Sequence, residues 1–342
     1  MQREPGLDIL RGLGFFLVVS FHFFLYNYFY STPQKGISMY LADVFLTLTI
    51  SCNGIFMMLT GYLKCEKKPS IRYYASLLPL LFSYTLASAA NCLFRVWYLH
   101  EAITFADFIW RLFSFSGAKY GWYVEMYLGL YLLAPVLNLA IEQISTKKRL
   151  IWLLGTMALL TGLPADIPLL PDWWKTLYPA AYYCMGATVK KWQPKSKPFL
   201  CLLGAGLTAA LLGSVSYFAA ARGVCNEGYA PVFGGFGIMV QTMLLFLGLY
   251  RAQPGITCRQ VASKIAAVSF EAYLLSYLFD ASIYSLIPSL LKPARYPAAF
   301  LAGAIPVFLL SCLSGAALAR AKNSLFRRIH SQTRQISTRS SI

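Results

Sequence analysis

Apolar runs about as long as a bilayer-spanning helix, separated by short segments that hold most of the charge, make up nearly the whole chain. A spanning helix needs roughly 20 predominantly apolar residues. Stretches around Leu77–Leu93, Leu200–Phe218 and Phe300–Leu318 approach or reach that length. Only 13% of the residues are charged and 58% are apolar, whereas an ordinary soluble domain is about 25% charged. The pattern predicts an all-α integral membrane protein, a bundle of about ten transmembrane helices. The expected spans lie near 7–29, 40–63, 74–97, 121–142, 149–164, 176–192, 199–220, 231–250, 264–287 and 297–319.

The distribution of basic residues sets the orientation. With the N-terminus inside, 21 Lys and Arg fall in inner segments and 7 in outer ones, while Arg11 and Arg95 lie within spans. A bias that alternates loop by loop follows the positive-inside rule, and it places both termini in the cytoplasm. The net charge of +17 is therefore explained without nucleic acid, which is not expected as a partner. Membrane lipids are. Residues 1–320 read as one membrane domain. Residues 321–342 read as a basic, Ser/Thr-rich cytoplasmic tail without fixed structure, lying along anionic lipid. The first apolar run holds Asp8, Arg11 and His22 and is followed by no small-residue cleavage site, so it reads as a retained helix rather than a signal peptide. The outer segment 98–120 is long enough for a small amphipathic element. Eight cysteines are scattered without CxxC spacing, so neither a metal set nor a disulfide framework is expected.

Ionisable residues inside spans are costly and mark candidate functional positions. Here they are Asp8, Arg11, His22, Asp43, Arg95, Glu125, Glu271 and Asp280. Arg11 and His22 stand roughly 16 Å apart along a helix axis and only about 20° apart around it. They share a face but cannot touch. Read alone, Arg11 is either an interfacial anchor paired with Asp8 or a functional group, and His22 is either a core histidine or a catalytic one. Glu271 and Asp280, nine residues apart, fall on opposite faces of their helix.

Four stretches carry a resemblance. LDILRGLGFFLVVSFH (Leu7–His22) resembles the opening of the membrane acyltransferase 3 family, whose hallmark is Arg, ten residues, then His. GIFMMLTGYL (Gly54–Leu63) is similar to that family's Phe-rich Ser-Gly-Phe segment, with Thr60 for Ser. GWYVEMYLGLYLLAPVLN (Gly121–Asn138) looks like its Trp-Tyr/Phe segment, and SFEAYLLSYLFD (Ser269–Asp280) its late Ser-Phe … Tyr-Leu stretch. Two departures stand out. Ser276 replaces a late His, and the basic loop before Pro79 keeps Arg72 but has Ser76 where an Arg is usual.

The resemblance implies a bacterial plasma-membrane O-acyltransferase that moves an acyl group, acetyl above all, from acyl-CoA to a hydroxyl of an envelope polysaccharide or lipid-linked sugar. Acyl-CoA would be a co-substrate, with no permanently bound cofactor. The resemblance makes His22 the base or acyl relay and Arg11 its essential partner. A base histidine usually has an orienting carboxylate. Glu125 is the preferred candidate, with Asp280 and Asp43 as the others. Asp8, Arg72, Trp122, Tyr123, Tyr273 and Ser276 are candidates for binding substrate. Export of a glycan or small metabolite without acyl transfer is the competing reading, and a membrane anchor in a synthesis complex is a third.

Overall fold

The computed structural model describes residues 4–27, 29, 32–166, 169–222, 232–287 and 292–339, with side chains as far as 326. Among them the chain is helical throughout, with no strand: α1 (Pro5–Tyr26), α2 (Gly36–Thr49), α3 (Ser51–Lys64), α4 (Ile71–Ala75), α5 (Leu78–Trp97), α6 (Phe105–Phe113), α7 (Trp122–Gln143), α8 (Lys147–Asp166), α9 (Tyr178–Trp192), α10 (Pro198–Ala221), α11 (Phe236–Leu249), α12 (Ile256–Tyr284) and α13 (Tyr296–Arg339). Short 3-10 turns precede α9 and α13.

Each expected apolar stretch is helical, but they are not alike. Among the described residues, seven segments are long and apolar enough to cross a membrane: Pro5–Tyr26, Gly36–Lys64, Ile71–Trp97, Trp122–Gln143, Pro198–Ala221, Ile256–Tyr284 and Pro293–Phe326. The other three correspond to α8, α9 and α11. With 15 and 14 residues, α9 and α11 are shorter than the roughly 20 residues of a lipid-exposed span. They lie inside the bundle, and most of α9 is buried. Residues 28 and 231, within the expected first and eighth spans, lie outside the described residues.

Small residues let the interior helices approach. A Cβ on Gly186 would stand 1.9 Å from the Met58 carbonyl oxygen, and one on Gly61 would stand 2.0 Å from the Tyr183 oxygen. α3 and α9 therefore cross backbone against backbone, as membrane helices do through glycine. On α10 only Ala205, Ala209 and Gly213 are buried. They form a stripe at i, i+4 and i+8, with Gly213 against the Val44 backbone of α2. The opposite side of α10 exposes Leu200, Leu203, Leu207, Leu211 and Phe218, the composition of a lipid-facing surface.

The span Gly36–Lys64 is interrupted at Ile50. Irregular backbone at membrane depth requires protein partners. Gln241 of α11 supplies one: its Nε2 donates to the Thr47 carbonyl at 3.0 Å and to Ser51 Oγ at 2.6 Å. The amphipathic element expected in 98–120 is α6. A reciprocal Thr104–Asp107 capping box starts it, and it exposes Phe105, Ile109, Trp110 and Phe113.

The boundary expected at 320 is not marked by a break, since α13 runs through it to Arg339. Lys322 pairs with the buried Glu271 of α12, and Ser83 of α5 bonds to both. Phe326 packs on Phe82 with ring centroids 5.1 Å apart. A buried carboxylate needs a counter-charge, and this one takes it from beyond the presumed domain end. The side chains of 327–342 lie outside the described residues.

Candidate active site

Arg11, Val18 and His22 follow one another at i, i+7 and i+11 on α1 and open onto two adjoining cavities. The first, of about 310 Å³, is lined by Arg11, Thr60, Lys64, Tyr123 and Tyr127 among others. The second, of about 270 Å³, is lined by His22, Tyr26, Lys119, Tyr120, Trp122 and Phe233 among others. Val18, Asn53 and Tyr273 belong to both walls. The shared face inferred from the spacing is thus turned into the protein at both ends. The Arg11 guanidinium also lies 3.8 Å from Asp8, so the i, i+3 pairing and the cavity position hold together.

His22 is 6% exposed and Asp280 is 2% exposed. Nδ1 of the imidazole lies 3.4 Å from Asp280 Oδ2. The same carboxylate oxygen accepts a hydrogen bond from the Tyr120 hydroxyl. The imidazole stacks on the Tyr120 ring, with centroids 3.9 Å apart and planes at 24°. Tyr273 and Asp280, seven residues apart, share one face of α12. Asp280 takes the Tyr120 hydroxyl, while the Tyr273 hydroxyl donates to the Tyr120 carbonyl at 3.0 Å. Tyr120 is therefore held at both ends, and it fixes the histidine from one side while the carboxylate faces it from another.

Other expected positions fall differently. Glu125, the preferred carboxylate, is exposed. Tyr123 and Tyr127 point into the first cavity, and Glu125 sits about 200° around the helix from Tyr123. The carboxylate beside His22 is Asp280. Asp43 is buried against α10, where Ser216 donates to it at 3.0 Å. Ser276 is fully buried and donates to the Tyr273 carbonyl within its own helix, so it lines neither cavity. Arg72 is exposed on α4 and lines neither. Asp8 is buried beside Arg11. Trp122 borders the His22 cavity, Tyr123 the Arg11 cavity and Tyr273 both. Outside the site, Arg95 grips Glu101 through three hydrogen bonds and holds its carboxyl below the usual range.

Three contributors escaped the sequence reading. Tyr120 lies 160 residues from its partner Asp280, and no local pattern points to it. Asn53 sits in the middle of an apolar run. Asn138 closes the third resembling segment, and its role is to position a loop. Its Nδ2 donates to the Lys64 and Lys67 carbonyls, both at 2.9 Å, and its Oδ1 accepts from Tyr183 at 2.7 Å. The loop beside Lys64 is thereby tied to α7 and α9.

A buried histidine facing a carboxylate, set in a cavity inside a bundle of apolar helices, describes a multi-pass membrane protein with an enzyme-like centre. The acyltransferase domain that defines the acyltransferase 3 family matches residues 4–316, essentially the entire chain. The chain belongs to that family and is a membrane acyltransferase. No curated protein and no solved structure matches it.

Proposed function

We propose that this acyltransferase takes an acyl group, acetyl above all, from cytoplasmic acyl-CoA and delivers it to a hydroxyl of a cell-envelope polysaccharide or lipid-linked sugar. On this reading it spans a bacterial plasma membrane about ten times with both termini inside. The observation that carries the proposal is the pair of adjoining cavities along one stripe of α1, with Arg11 in one and His22 in the other. The charge bias of the loops turns the Arg11 cavity toward the cytoplasm.

The division of labour follows from the lining. Arg11 and Lys64 attract the phosphates of the donor at the inner mouth. The largely apolar wall between them and Val18 accepts the pantetheine arm. The acceptor enters the His22 cavity, where Trp122 and Phe233 offer aromatic surface to a sugar ring. With Nδ1 turned to Asp280, Nε2 is left to act on substrate. It takes the proton of the acceptor hydroxyl as that oxygen bonds to the thioester carbon. The C–S bond then breaks, and the proton passes from the imidazolium to the departing thiolate, releasing free CoA. Asp280 stabilises the transient imidazolium and orients the ring, the role of the third member of a triad.

Labelled acetyl-CoA incubated with membranes tests this. Wild type should move label into a glycan or lipid-linked fraction. His22→Ala and Arg11→Ala, inserted at equal level, should not. Equal labelling by all three, or none by wild type, would move the assignment to transport.

A further inference from the structure

Three side chains separate the two cavities, and they are not equivalent. Val18 has no polar atom. The Tyr273 hydroxyl is already spent on the Tyr120 carbonyl. Asn53 of α3 is 4% exposed, and its Nδ2 makes no hydrogen bond among the described residues. It is turned toward the Tyr178 hydroxyl without closing on it. Among the described residues its Oδ1 accepts only from the Cys52 thiol, at 4.0 Å.

The other buried asparagines behave differently. Asn27 donates to the Phe23 carbonyl, Asn91 to those of Ala87 and Leu274, and Asn138 to those of Lys64 and Lys67. Those three staple backbone, and Asn53 does not. A buried donor without an acceptor costs stability, and a leucine would suit a wall that also contains Val18 and Phe56. An amide kept there at a cost is a candidate for an acceptor that arrives with the substrate.

We propose that Asn53 Nδ2 is the hydrogen-bond donor that receives the acyl carbonyl oxygen during transfer. This rests on the reading above, in which the donor thioester reaches the junction of the cavities from the Arg11 side and meets the acceptor beside His22. When the acceptor oxygen adds to the thioester carbon, the C=O π electrons move onto the carbonyl oxygen. They return as the C–S bond breaks. An N–H fixed in a water-poor wall stabilises that transient oxyanion more than the neutral carbonyl, so it acts on the barrier rather than on binding.

The test compares wild type, His22→Ala, Asn53→Leu and Asn53→Ala, purified in the same detergent. Transfer of labelled acetyl from acetyl-CoA and the thermal unfolding midpoint are both measured. Asn53→Leu should lower kcat per folded molecule by about 10²- to 10³-fold. KM for acetyl-CoA should change little, and the midpoint should be equal to or above that of wild type. If leucine does not fit, Asn53→Ala, which demands no extra room, carries the same expectation for kcat and KM. Asn53 variants within about threefold of wild-type kcat, beside an inactive His22→Ala, would overturn this inference and leave the acyl-CoA reading standing. A fall in yield or midpoint with unchanged kcat per folded molecule would make Asn53 a structural residue and likewise overturn it. No transfer by wild type would overturn both.

Discussion

Asp280→Asn is the sharpest probe of the histidine centre. Asp280 is almost completely buried, and its Oδ2 accepts from the Tyr120 hydroxyl and lies 3.4 Å from His22 Nδ1. Asparagine keeps the size and one acceptor oxygen but removes the negative charge. The ground state, with a neutral imidazole, loses little. The transition state, with an imidazolium 3.4 Å from that position, loses a charge-assisted interaction. Such an interaction contributes about 1.5–3 kcal/mol, and each 1.4 kcal/mol or so is tenfold in rate. The expected drop in kcat is therefore about 10- to 150-fold, with KM for acyl-CoA nearly unchanged. Loss of tautomer control would deepen it toward about 10⁴-fold. The assay is labelled acetyl transfer per folded molecule in detergent or proteoliposomes. Asp280→Asn with kcat within about twofold of wild type, beside an inactive His22→Ala, would refute the assignment of Asp280 as the orienting group.

Glu125→Gln should leave transfer within about twofold of wild type, because an exposed side chain on the far side of α7 touches neither cavity; a larger loss of kcat would restore Glu125 to the site. Gly186→Ala should sharply reduce the folded, monodisperse fraction on size-exclusion chromatography. Its Cβ would lie 1.9 Å from a carbonyl oxygen, and parting two backbones costs more than the about 1–3 kcal/mol of ordinary overpacking. A wild-type yield would mean that α3 and α9 do not cross this closely. Lys322→Met should lower stability by about 3–5 kcal/mol, since it strands Glu271 in the interior. Adding Glu271→Leu should recover most of that loss, measured by thermal unfolding, while a Lys322→Met protein as stable as wild type would place the pair in water.

The sequence was most legible where one helix carries the information. Periodicity along α1 puts Arg11 and His22 on one side, and both open into cavities. The apolar runs locate the helices to within a few residues at most ends. The same runs said less about which helices face lipid, because α11 is as apolar as its neighbours and differs mainly in being shorter and packed among other helices. Both Glu125 and Asp280 fall in family-like segments, Gly121–Asn138 and Ser269–Asp280, so the resemblance alone does not choose between them. Sequence proximity to a motif says nothing about which way a side chain points, and Tyr123 and Tyr127 take the inward side of α7.

The family, the helical class and the two groups that anchor the proposed chemistry are written in the order of residues along the chain, because helix geometry converts spacing directly into direction. The tertiary structure alone brought Asp280 and Tyr120 to His22, Lys322 to Glu271, and Asn53 into the wall between two cavities. Those meetings depend on how separate helices dock. Docking is decided by shape, above all by glycines and alanines that let backbones touch, and contacts of that kind leave no periodic trace within any one segment.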